Sequence, residues 1–201
     1  MSDDRIKTKR TNPGSIYSFS LVFLASVMIF VASFVLSVEA LHLAVSPDAK
    51  LHCDISATVS CGAVGQHDTA SVFGFPNAFI GIASMPVFIT LAVLVLSGVK
   101  LPKWILQGAW WGTGVSLAFA IWMFYTSYSV IGVLCPWCLV VSFSSVVLWF
   151  AMTRFVIIHQ QTNLPSGIND FLRSLVKRDY DKLIMCVVLV AMLSAIIIKY
   201  F

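Results

Sequence analysis

The 201-residue chain is 59% hydrophobic and only 11% charged, with a mean hydropathy of +0.91 and a formal net charge of +4. A soluble domain carries about a quarter charged residues and could not hide this much apolar surface, so a soluble enzyme is excluded. Disorder and collagen-like fibres are excluded too, since aliphatic and aromatic residues abound while Gly (11) and Pro (7) do not, and a multispan membrane protein remains.

A helix needs roughly 20 continuous apolar residues to cross the hydrocarbon core, whereas membrane strands would show alternating segments of about 10. The chain has continuous runs, at Ile16–Val38, Phe79–Val99, Trp104–Tyr128 and Leu134–Ile158. A shorter fifth, Leu183–Ile198, is flanked by Asp181, Lys182 and Lys199, which are expected to snorkel to the interfaces. The expected fold is an all-α integral membrane protein of five spans, with no charged residue inside any of them, which argues against an ion-coupled transporter. Residues 1–15 read as an N-terminal segment, 16–158 as a four-helix unit with a loop at 41–78, 159–182 as a connection and 183–201 as the fifth helix. Within these, 1–12 and 160–179 read as loosely constrained. The first run lacks the cleavage site of a signal peptide and reads as a retained anchor.

Basic residues set the expected orientation. Arg5, Lys7, Lys9 and Arg10 precede the first run, Lys100 and Lys103 lie between the second and third, and Arg154, Arg173, Lys177, Arg178 and Lys182 surround the last connection. These belong on the cytoplasmic side, with the N-terminus. The 41–78 loop carries only Lys50, and the turn between the third and fourth runs carries no charge, so both face outward, as does the C-terminus. The net charge then reflects topology and implies no nucleic-acid partner.

Four of the five cysteines fall on that outward side, where disulfides form and persist: Cys53 and Cys61 in the long loop, Cys135 and Cys138 at the start of the fourth run. Cys186, among Met185, Val187 and Val188, reads as a buried apolar thiol.

In Leu134-Cys135-Pro136-Trp137-Cys138 the proline suits the first position of a helix, which makes Cys135 the cap and Cys138 the third residue in. Cap and third residue face each other. The helix terminus there stabilises a thiolate, and the pair is suited to redox exchange. Seven residues, most of them small or polar, separate Cys53 from Cys61, as in a mobile loop. Alone, that pair reads as a structural staple; beside a second pair on the same face, it reads as half of a thiol–disulfide relay. Four-thiolate zinc is the rival, disfavoured because structural zinc uses closer pairs, and no metal is expected. His42, His52, His67 and His159 fall at no ligand spacing.

A relay that opens a membrane helix can discharge into the bilayer, where the available two-electron carrier is a quinone. Trp122, Phe124, Tyr125, Tyr128, Trp137 and Phe143 supply wall material, although Trp and Tyr also form interfacial belts.

Cys53-Asp54 with Cys61, the stretch Val72-Phe73-Gly74-Phe75-Pro76-Asn77-Ala78-Phe79-Ile80-Gly81, and Cys135-Pro136-Trp137-Cys138 together resemble the vitamin K epoxide reductase (VKOR) family, in particular its bacterial members, over about Ser15 to Ile158. The resemblance implies a four-helix bundle around a quinone, menaquinone or ubiquinone, in a bacterial cell membrane. It implies that the loop pair takes electrons from an external thioredoxin-like (DsbA-like) dithiol protein, in support of disulfide bond formation. By position, Cys53 exchanges with the partner, Cys61 transfers to Cys135, and Cys138 faces the quinone. Asn77, otherwise a helix cap, donates to a quinone carbonyl; Phe79, Trp122 and Tyr125 are the expected ring contacts. Asp54 tunes exchange or meets the partner.

Three features depart from the family pattern. His67 stands where many relatives have Ser or Thr, and Ser142 stands where vertebrate members have a tyrosine. The chain stops at Phe201, where several relatives continue into a thioredoxin-like domain, so a separate partner is expected. The alternatives are a vitamin K epoxide or quinone reductase proper, or a noncatalytic scaffold with structural disulfides.

Overall fold

The structure, a computed structural model, describes residues 13–46, 50, 51, 53–159 and 166–200. Residues 1–12 and His52 lie outside the described residues. Among the described residues, five helices are long and apolar enough to cross a membrane: α1 (Pro13–Val45), α3 (Ala78–Leu96), α4 (Lys103–Tyr125), α5 (Pro136–Ile158) and α7 (Tyr180–Tyr200). Two shorter ones, α2 (Cys61–Gly65) and α6 (Ser166–Lys177), lie in the connections, and the described residues contain no strand beyond two isolated bridges. The protein is an all-α multi-pass membrane protein.

The ends of the helices differ from the apolar runs for local reasons. α1 continues past Val38 because Glu39-Ala40-Leu41 are good helix formers, and Leu43 is buried at its far end. Glu39 therefore lies inside a spanning helix, 9% exposed, and Arg154 lies inside α5. The expectation of charge-free spans is corrected: an apolar average does not exclude single buried charges. α3 stops at Leu96 because Gly98, at φ +87°, turns the chain left-handed, and the N–H groups of Gly98 and Val99 bond the carbonyls of Val95 and Leu94. α4 widens into a π-helical segment, Thr126–Ile131, that ends at left-handed Gly132.

α1 is the central element, packed on α3 and on α5, and α5 carries α4 on another side. Their shared core joins Phe19, Val22, Ala25 and Ile29 of α1 to Met85, Phe88 and Ala92 of α3, and to Leu148, Met152 and Phe155 of α5. Small residues permit the approach: a Cβ on Gly81 would land on the side chain of Ser33, and one on Gly114 would come within 2.7 Å of Trp149. Leu24, Met28, Val31 and Phe34 line the opposite face of α1, exposed to what would be lipid.

The described part of the connection after α5 contains the amphipathic helix α6, with Val176 buried. α7 begins at Tyr180, earlier than Leu183. Asp181 does not snorkel: it pairs with Arg154 at 2.7 Å, both side chains about 15% exposed, and Asp179 binds the same guanidinium at 2.8 Å. These bonds dock α7 on α5. Most of α7 still faces outward, so Cys186 is exposed on its surface, not buried as expected.

Candidate active site

Cys53, Cys61, Cys135 and Cys138 come together at one end of the bundle. Cys53 and Cys61 form a disulfide, and the Cys135 Sγ lies 3.5 Å from the Cys61 Sγ. Cys135 is the N-cap of α5, Pro136 is its first residue, and the Cys138 N–H donates to the Cys135 Sγ at 3.2 Å. Cap and third residue thus face each other as the sequence predicts. Both free thiols sit at the N-terminal end of a 23-residue helix.

Backbone bonds set the alignment. Residues 58–60 run parallel to the segment before Cys135: Leu134 N–H donates to Thr58 O, and Ser60 N–H to Leu134 O, each at 2.9 Å. This short bridge delivers Cys61, the first residue of α2, to the cap of α5. Leu43, Leu51, Val64, Leu36, Ile131, Val133 and Trp137 pack around the sulfurs.

Asp54 holds the loop in shape. Its carboxylate accepts from Ser60 Oγ at 2.6 Å, from the Gly62 N–H at 3.0 Å and from the Leu51 N–H at 2.9 Å, while Ser60 Oγ caps α2 by accepting from the Ala63 N–H. Partial burial opposes the charge, but these donors and the Cys61 N–H outweigh it and hold the carboxyl below the usual aspartate value. Gly62 makes room, since a Cβ there would come within 3.0 Å of the carboxylate. The segment between the loop cysteines is thereby tied down, in contrast to the mobile loop expected from its small, polar residues. His67 caps the following 3₁₀ turn, its Nδ1 meeting the Thr69 N–H and hydroxyl. Ser142 donates back to the Cys138 carbonyl at 2.9 Å.

A family of known proteins has this chain's pattern. Residues 20–153, two-thirds of the chain, match the model of the vitamin K epoxide reductase family. The chain belongs to that family. No curated protein matches it at a significant level. Membership and the paired cysteines make this VKOR-family protein a membrane thiol oxidoreductase.

The remaining candidates lie around the cluster, not in it. Asn77 precedes α3 in helical conformation (φ −57°, ψ −26°), and its side chain makes no cap bond; a cap needs an extended residue. Its amide spans the turn before α3 instead, accepting from the Val72 N–H and donating to Thr69 O at 2.7 Å. Phe79 stacks on Phe75, while Trp122 and Tyr125 are 40% and 60% exposed on α4. None of these three rings belongs to the apolar cluster round the sulfurs, whereas Trp137 does.

One residue of the cluster escaped the sequence reading. The Glu39 carboxyl oxygens lie 3.1 and 3.3 Å from the Cys53 Sγ. The available signal was an acid just beyond an apolar run, one that stays within the helix once Glu39-Ala40-Leu41 continue it. Glu39, Cys53 and Cys61 put their donor atoms within 4.8 Å of one another, but a metal takes thiolates, and two sulfurs bonded to each other offer none.

Proposed function

We propose that this VKOR-family protein oxidises an external thioredoxin-like dithiol protein and delivers the electrons through its two cysteine pairs to a membrane quinone, with the cysteine end of the bundle outside the cytoplasm. The observation that carries the reading is the row of sulfurs, Cys53 bonded to Cys61 and Cys61 in contact with Cys135. A structural staple needs no free thiol against it. A relay does, because exchange proceeds by attack of one sulfur on the next.

The thiol steps follow from the order of the sulfurs. A partner thiolate attacks Cys53, releasing Cys61. The second partner thiol then resolves the mixed disulfide, and the partner leaves oxidised. Cys61 attacks Cys135 of an oxidised inner pair and releases Cys138; Cys53 closes back on Cys61, leaving the inner pair reduced. The arrangement of bonds described here, loop pair joined and inner pair free, is the one that follows this internal transfer.

The surroundings fit a quinone. α3 and α4 meet through long side chains, Phe88 against Gly112 and Asn77 against Met123, which suits a flat apolar ring between them. One Asn77 amide proton goes to Thr69 O; among the described residues the other meets the Met123 thioether at 3.8 Å, a weak acceptor, and is suited to a carbonyl oxygen. Asn77 and Cys138 would hold the quinone, which supplies the two-electron acceptor. Phe79, Trp122 and Tyr125 would line the approach from the bilayer.

An anaerobic assay of the purified protein with a reduced thioredoxin-like protein and a set of quinones tests this. One quinol should form per partner disulfide, and each of Cys53→Ala, Cys61→Ala, Cys135→Ala and Cys138→Ala should abolish turnover. Full quinone reduction by partner thiols in Cys53→Ala overturns the relay. Trapping of thiols in cells separates the scaffold alternative, whose disulfides would stay oxidised whatever the state of the quinone pool.

A further inference from the structure

Glu39 is an acid at an expensive place. It sits on a membrane-spanning helix, 9% exposed, with both carboxyl oxygens 3.1 to 3.3 Å from one sulfur, that of Cys53. Nothing in helix formation or apolar packing asks for a carboxyl there, since Leu or Gln serves α1 as well. The contact has a chemical peculiarity. A disulfide sulfur carries no proton, so it can only accept from the carboxyl, whereas a reduced Cys53 thiol can only be deprotonated by giving its proton away. A carboxyl this close is placed to take the proton when the Cys53 thiol joins the disulfide and to return it when Cys53 is set free again as a thiol.

We propose that Glu39 is a catalytic residue, the general base that takes the proton of Cys53 when the loop disulfide closes, and the acid that returns it when the partner's second thiol releases Cys53 from the mixed disulfide; the assignment rests on the relay proposed above. The closing step balances within the chain. It begins from the mixed disulfide Cys61–Cys135 with Cys53 as a thiol and Glu39 as a carboxylate. The proton moves from Cys53 Sγ to the Glu39 carboxylate, and the Cys53 thiolate attacks Cys61 Sγ. The Cys53–Cys61 bond forms, the Cys61–Cys135 bond breaks, and Cys135 leaves as a thiolate at the N-terminus of α5. Cys53 is oxidised, Cys61 stays at the disulfide level and Cys135 is reduced, with no outside reagent.

The described geometry is that of the product of this step. Cys53 is bonded to Cys61, the departed Cys135 Sγ is still 3.5 Å away, and the carboxyl rests on the sulfur it has just deprotonated. A base within about 3 Å of the proton it removes is placed for general-base catalysis, a contribution of about 10²-fold or more. Asp54 cannot serve in its stead: its two oxygens are engaged by the Ser60 hydroxyl and the N–H groups of Gly62 and Leu51.

The test uses the full chain in detergent without quinone or partner protein, so that its outcome is independent of theirs. The protein is reduced with dithiothreitol, freed of it, and oxidised with the small disulfide cystamine; peptide mass spectrometry of trapped thiols follows each bond. In the native chain the Cys53–Cys61 disulfide should form with little mixed disulfide. In Glu39→Gln at pH 7, mixed disulfides of Cys61, to cysteamine or to Cys135, should accumulate with Cys53 still a thiol, and closure should slow about 10²-fold. As the pH rises past the ordinary thiol value of about 8.5, Cys53 ionises unaided and the two proteins should converge. Equal rates at pH 7 overturn the proposal. So does a Glu39→Gln protein that stays slow at high pH, since that marks a loop merely misplaced. Failure of the quinone assay with this pH-dependent gap intact would instead count against the acceptor.

Discussion

Cys61 and Cys135 face each other at 3.5 Å, although 74 positions separate them in sequence. The distance is van der Waals contact, close enough for one sulfur to attack the other and form a bond of about 2 Å. The alignment comes from two backbone hydrogen bonds between residues 58–60 and Leu134, so it depends on the fold of the loop and not on the sulfurs themselves.

The pair should therefore cross-link on demand. In a Cys53→Ala, Cys138→Ala double variant, mild oxidation should join Cys61 to Cys135 nearly completely, detected as a linked peptide by mass spectrometry. Persistent labelling of both thiols by a maleimide after oxidation would show that the two are not exchange partners.

Asp54 is the next control on that contact. Asp54→Asn keeps the shape but cannot accept from the Ser60 hydroxyl and two N–H groups as a carboxylate does. The loss should be about 1 kcal/mol, at the low end for charged hydrogen bonds because the residue is solvent-exposed. Its folded value lies below the ordinary one, so the charged form's contribution is in place above about pH 4 and disappears as the pH falls through the lowered value. Proteolysis of the loop should show that acid-side loss in the native chain, and Asp54→Asn should be cut faster at pH 7 with no such pH dependence. An unchanged cleavage rate in the variant would refute the bracing role.

The apolar runs reveal the spans because a helix crossing a bilayer must be apolar nearly throughout, and Cys135-Pro136 reveals the start of α5 because proline suits only the first turn. What escaped detection depends on pairing across the fold. Glu39 is one acid in a long apolar helix until Cys53 is brought against it, and Asp181 reads as an interfacial residue until Arg154 arrives from α5. Asn77 reads as a cap because its type is common there, but its backbone is already helical, which turns the amide toward the Thr69–Val72 turn. Cys186 reads as buried because its neighbours are apolar, yet in a membrane an apolar neighbourhood is equally the outer face.

The Arg154–Asp181 pair yields a prediction about α7. Asp181→Asn leaves a largely buried guanidinium with Asp179 as its one counter-charge among the described residues, which should cost about 3 kcal/mol and loosen α7 from α5. Engineered cysteines at Phe150 and Met185, which line one cavity beside this pair, should cross-link in the native background and lose efficiency in Asp181→Asn. The double change Arg154→Met, Asp181→Leu removes both charges and should restore the cross-link. If the single variant cross-links as well as the native chain, α7 is held by its apolar contacts alone.

The closest helix contact should be equally specific. A Cβ at Gly81 would overlap both Ser33 side-chain atoms, so Gly81→Ala must push α3 away from α1 or force Ser33 aside, for a loss of about 1–3 kcal/mol. Ser33 is buried and its carbonyl accepts the Ser37 hydroxyl at 2.7 Å, which limits its freedom to move. Thermal unfolding in detergent should show the loss in Gly81→Ala, and Ser33→Gly in the same chain should recover part of it, because the added methyl then occupies the space the hydroxymethyl left. Additive losses in the double variant would mean that the two residues act independently and that the approach of α1 and α3 is set elsewhere.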